Sequence, residues 1–128
     1  MLVVGSIVIR VNDLDAQIKF WTSALDYVVR GPVDVDFALL HPRAGHGPNV
    51  SLDAHPSEYV LPPRIHLDLY ADQQHAEVHR LQTLGAREVN WARKPTDAEY
   101  IIMEDPERNR FCVIDASVWP GWHDRNAD

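Results

Sequence analysis

His66, Asp68 and Tyr70 alternate along the chain with Ile65, Leu67 and Leu69. On an extended strand that spacing sends the three polar side chains to one face and the apolar ones to the other. Imidazole titrates near neutrality, so His66 is the candidate catalytic acid or base. The same parity sets Ser6, Val8 and Arg10 against Ile7, Ile9 and Val11, and Ser51 and Asp53 against Val50 and Leu52. It also sets Cys112 and Ile114 against Phe111 and Val113. Ser6, Arg10, Ser51, Asp53, Asp68, Tyr70 and Cys112 are therefore the candidate ligand-binding groups around His66. A few polar groups among apolar walls is the composition of a small-molecule site. Two readings stay open for Arg10 and Asp68, at nearly corresponding strand positions: an internal salt bridge, or an anion-binding Arg oriented by Asp68. Cys112 is a nucleophile only if a neighbour such as His66 lowers its pKa; otherwise it is a buried, inert thiol. His75 and His79 have the i, i+4 spacing that lets two imidazoles share a metal, but no Glu follows His75 and their helix face reads as solvated.

These residues must be positioned by elements, and the elements repeat. Residues 6–26 and 66–85 each read as a strand, an acidic cap and an amphipathic helix, with Asp13 matching Asp72 and Leu25 matching Leu84. A period near 60 in 128 residues points to a duplicated supersecondary unit. Asn12 or Asp13 caps the first helix, whose inner stripe is Leu14, Ile18, Trp21 and Leu25 with Phe20 and Ala24 beside it. Asp72 caps the second, whose inner side is Ala76, Val78, Leu81 and Leu84, and Gly85 falls at its left-handed C-terminal cap. Strand patterns follow at 27–31, 37–41 and 50–54, and again at 87–91, 100–103 and 111–115. The expected fold class is α+β: tandem βαβββ units whose mixed, curved sheets form a cleft. The expected organisation is a single domain, 1–128, with unit one about 1–57, unit two about 64–116 and a tail 117–128. Three prolines mark 55–64 as a linker, and the tail Trp119–His123 is expected to fold back over the domain.

The cap and strand at Val11–Leu14, Leu25-Asp26-Tyr27, His66–Leu69, Leu84-Gly85-Ala86 and Asp105-Pro106 with Asn109 and Phe111 resemble the vicinal oxygen chelate superfamily. That group holds glyoxalase I, bleomycin-resistance proteins and extradiol dioxygenases, and the nearest likeness is to small bacterial glyoxalase-like proteins. The resemblance runs from about Val4 to Asp115. For metal-using members it implies four ligands, carried here onto Ser6, about Ser51, His66 and Cys112, with Asp53 replacing Ser51 if the strand is shifted. Only His66 is of the expected type. Hydroxyls contribute little to an octahedral cation and two remaining ligands are too few, so no metal and no cofactor is expected. The family usually has Gly before the Asn of the Asp-Pro turn. Arg108 stands there instead, and a left-handed Asn109 would accommodate it.

The formal net charge of −7, with basic residues scattered, excludes the concentrated positive footprint that nucleic acid requires. One cysteine allows no intrachain disulfide and suits a reducing compartment. No apolar run reaches membrane-spanning length, so a cytoplasmic protein without membrane partners is expected. The resemblance adds an expected homodimer. The functional expectation is a bleomycin-resistance-type protein holding a small organic ligand in the cleft between the units without the usual divalent metal. The alternatives are a metal-independent lyase, isomerase or hydrolase using His66, and then a divalent-metal glyoxalase or dioxygenase.

Overall fold

The computed structural model describes residues 4, 6–54, 65–92, 94–118 and 120. The chain divides into two compact units, Met1–Val60 and Leu61–Asp128. The linker 55–64 lies outside the described residues, as do Trp119 and Gly121–His123 of the tail.

In the first unit β1 (Ser6–Arg10) leads to α1 (Leu14–Leu25), then β2 (Tyr27–Arg30), β3 (Phe37–Pro42) and β4 (Asn49–Asp53). The sheet order is β1-β4-β3-β2, with β1 parallel to β4 and the other pairs antiparallel. Asp13 caps α1, its carboxylate accepting from the Ala16 N–H at 3.1 Å. Parity along the strands holds: Ala38, Leu40, Val50 and Leu52 are buried, while Val8 and Arg10 are exposed on the opposite face.

The helix is rotated from the expected stripe. Its buried residues are Leu14, Gln17, Phe20, Trp21 and Ala24, with Ile18 and Leu25 only half-buried. The Trp21 indole N–H explains the rotation: once buried it needs an acceptor, and Gln17 supplies Oε1 at 3.1 Å from the preceding turn. Phe20 meets Trp21 edge to face, with ring centroids 5.1 Å apart.

The second unit repeats the plan with β5 (Leu67–Ala71), α2 (Gln74–Thr83), β6 (Arg87–Glu88), β7 (Tyr100–Glu104) and β8 (Arg110–Asp115), in sheet order β5-β8-β7-β6. Strand β5 runs parallel to β8. Ile65 lies before β5 and is exposed rather than on its inner face. Asp72 is not the cap: the helix begins one residue later, after Gln73, which makes no side-chain cap bond. The helix start is fixed by docking instead. The Gln74 amide donates to the carbonyls of Glu99 (2.8 Å) and Val113 (2.9 Å), tying α2 to the sheet. With Gln74, Val78 and Leu81 facing inward, Ala76 turns to solvent and Leu84 is half-buried.

The helix ends in a full Schellman motif. The Ala86 N–H bonds to the Leu81 carbonyl and the Gly85 N–H to that of Gln82, with Gly85 at φ +112°. The Asp105–Asn109 turn departs from expectation: Arg108, not Asn109, takes positive φ, at +70°. Asp105 dictates this. Fully buried, its carboxylate accepts from the N–H groups of Glu107 and Asn109 and from the Asn109 amide, at 2.8–2.9 Å. Closing those bonds around one side chain forces the left-handed step onto residue 108.

Candidate ligand and metal site

In each unit the helix covers one sheet face, and the chemistry lies on the other. On the first sheet that face carries Ser6, Val8 and Arg10 of β1 and Ser51 and Asp53 of β4. The Ser6 and Ser51 hydroxyls hydrogen-bond to each other at 2.5 Å, and Ser51 is buried. Arg10 is the Cα partner of Asp53 across the parallel pair.

On the second sheet the same face carries His66, Asp68 and Tyr70 with Arg110, Cys112 and Ile114. Asp68 and Cys112 are Cα partners across β5 and β8. His66 sits just before β5, on the Asp68 side, and its Nε2 lies 3.0 Å from Asp68 Oδ1. Both side chains are a little under half exposed. One donor atom each from His66, Asp68 and Cys112 lies within 4.8 Å of the others. Tyr70 is exposed.

The helix starts anchor the correspondence between units: with α1 beginning at Leu14 and α2 at Gln74, Ser6 corresponds to His66 and Val8 to Asp68, and register carries this across each sheet. Val8 opposes Ser51 as Asp68 opposes Cys112, and Arg10 opposes Asp53 as Tyr70 opposes Ile114. Arg10 therefore corresponds to Tyr70, and Asp68 to Val8, correcting the near-equivalence of Arg10 and Asp68. The same register makes Ser51, not Asp53, the counterpart of Cys112. Within its own unit Asp68 pairs with His66.

Burial raises the Cys112 pKa above its ordinary value, and Asp68 raises it further; Arg110 and Lys94 pull it back down. The thiol form dominates at neutral pH, which removes the basis for Cys112 as an activated nucleophile. Arg110 and Lys94 were not anticipated. Arg110 was readable as a same-face neighbour, two residues from Cys112. Lys94 comes from the connection before β7, where its ammonium sits 5.7 Å from the centre of the Tyr100 ring. The Arg110 Nε is buried and has no hydrogen-bond partner among the described residues. His75 and His79 are exposed on α2, and Trp91 is exposed as well.

The glyoxalase-like domain model matches residues 6–114. The chain belongs to the glyoxalase-like family. No curated protein matches the sequence. Among solved structures, a point mutant of the fosfomycin resistance protein FosX of Listeria monocytogenes, complexed with Mn(II) and a dihydroxypropylphosphonic acid, superposes with a TM-score of 0.72 at 12% identity, over 98% of both chains. TnmS3, an antibiotic binding protein from Streptomyces sp. CB03234, gives 0.62 at 21% identity, covering 89% of this chain and 95% of its own. A glyoxalase/bleomycin resistance protein/dioxygenase family enzyme from Burkholderia phytofirmans PsJN gives 0.62 at 17%, over 86% and 95%. These likenesses show that the chain shares the fold of those proteins.

The four positions that the family resemblance assigns to metal do not fit an octahedral cation. Two are hydroxyls bonded to one another and one is a protonated thiol. Hard cations such as manganese and magnesium favour carboxylates, carbonyls and water, with imidazole suiting iron and nickel.

Proposed function

We propose that this chain binds a small organic ligand on the open faces of its sheets, without the octahedral metal of its metal-using relatives. The observation that carries this reading is the Ser6–Ser51 hydrogen bond at two positions where such a metal would need charged or imidazole ligands. Exposed Val8, Phe37 and Tyr70 add apolar surface to the polar groups of the same faces. The kinship of fold with an antibiotic binding protein points the same way. The test is a thermal-shift and calorimetric screen of aromatic antibiotics and metabolites in the presence of chelator. Saturable stabilisation that weakens in Tyr70→Ala and Arg10→Ala supports the reading; no binder in a broad library overturns it.

A second reading rests on the His66–Asp68 contact at 3.0 Å. A carboxylate on one imidazole nitrogen holds the ring in a fixed orientation, the arrangement a general acid or base uses. It supports a lyase, isomerase or hydrolase whose turnover survives chelator, disappears in His66→Ala and falls in kcat rather than KM in Asp68→Asn. Full turnover in His66→Ala removes that mechanism.

A further inference from the structure

The donors of the second sheet disagree with the octahedral metal and agree with a different ion. We propose that His66, Asp68 and Cys112 form a site for a thiophilic divalent cation, zinc foremost, built within the second unit alone. An imidazole nitrogen, a carboxylate oxygen and a sulfur already lie within 4.8 Å of one another. Around tetrahedral zinc, with bonds of roughly 2.0–2.3 Å, two ligand atoms stand about 3.5 Å apart. The donors therefore need to converge by roughly 1 Å, a rotamer adjustment with no change of backbone.

The backbone supports that convergence. Asp68 and Cys112 are Cα partners on adjacent hydrogen-bonded strands, and His66 lies two residues from Asp68 on the same face. Two of the three donors, Asp68 and Cys112, sit on strands, which hold their geometry better than loops. The partial exposure of His66 and Asp68 gives an ion a path in.

Ligand softness selects the ion. Thiolate and imidazole favour zinc over magnesium, calcium and manganese. Three protein ligands leave a fourth position open, the count found where zinc exchanges a ligand with solvent or substrate. On binding, the Cys112 S–H bond is replaced by S–Zn and its proton leaves to solvent, so the site fills more readily as pH rises. Asp68 is decisive, because it occupies the position that Val8 fills in the first unit. Without it the group found among the described residues would keep only the nitrogen and the sulfur.

The experiment uses the whole 128-residue chain, stripped with chelator and titrated with cobalt(II), then zinc. One cobalt per chain is expected, with tetrahedral ligand-field bands and a sulfur-to-cobalt charge-transfer band that zinc abolishes. The band is lost in Cys112→Ser, and affinity falls at least roughly tenfold in Asp68→Asn and His66→Ala. Ser6→Ala, Ser51→Ala and His75→Ala bind as the parent does. Zinc also protects Cys112, the sole cysteine, from a thiol reagent, a readout that needs no variant and so survives any folding defect. No charge-transfer band, no protection, or loss of binding in Ser6→Ala or Ser51→Ala overturns the proposal. Metal is read here without organic ligand, and organic ligand is read above in chelator, so each can fail alone.

Discussion

Arg108 holds a φ of +70°, a conformation that costs a residue with a Cβ about 1–2 kcal/mol and glycine almost nothing. Its side chain is exposed, so replacement sacrifices little packing. Arg108→Gly is expected to stabilise the protein by about 0.5–1 kcal/mol, the greater freedom of unfolded glycine offsetting part of the relief; the melting temperature reads it. Asp105→Ala is the counter-test. It removes the acceptor from two partly buried N–H groups and an amide, and should cost about 2–3 kcal/mol by denaturant midpoint. Cys112 makes a pH prediction. Its raised pKa means the folded chain keeps the proton longer than the unfolded one. The stability this contributes is present below the ordinary value of 9.0 and is lost as pH rises through the raised one. Thiol labelling should thus titrate with a midpoint above 9.0 in the native protein. Asp68→Asn should lower that midpoint and Lys94→Ala should raise it. The side chains of the site were legible singly, because parity places His66, Asp68 and Cys112 on one face. That Asp68 meets Cys112 was not legible, since cross-strand neighbours depend on register, and register is set by the whole sheet.

The two helices leave their C-termini differently. Residue 26 turns left-handed as Asp, at φ +54°, and its carboxylate accepts from Arg43 Nε at 2.9 Å; residue 85 turns as Gly at φ +112°. A Cβ on Gly85 would also meet Pro106 Cγ at 3.3 Å. Gly85→Ala is expected to cost about 2 kcal/mol, seen as a lower denaturant midpoint with an unchanged slope. The exposed ion pair at Asp26 contributes little, so Arg43→Ala should leave stability within about 0.5 kcal/mol of the parent. Element identity was legible because period-two runs and helical stripes are strong over these lengths. Helix rotation was not. A stripe read from apolar residues alone cannot anticipate that a tryptophan N–H will draw Gln17 inward. The acidic residue at 72 looked like a cap, yet docking of Gln74 onto the carbonyls of Glu99 and Val113 decided where α2 begins.

At the scale of the whole molecule the duplication was the most legible feature, because two copies of one pattern corroborate each other. The copies have diverged in chemistry more than in topology: one pairs two hydroxyls where the other gathers imidazole, carboxylate and thiol. No helix among the described residues is long and apolar enough to cross a membrane. The homodimer expected from family likeness predicts a sedimentation mass of twice 14.6 kDa, unchanged by chelator.

Each sheet also imposes an order of events on synthesis. Among the described residues the first strand of each unit pairs with the last, Ser6 with Asn49 and Leu67 with Phe111. A ribosome adding roughly 5–20 residues per second leaves each opening strand without its sheet partner for several seconds. During that interval the apolar faces of β1 and α1, and later of β5 and α2, have no finished sheet to cover them. The nascent chain is thus most exposed to holding chaperones twice, and the second exposure begins only after the first sheet has the residues it needs to close.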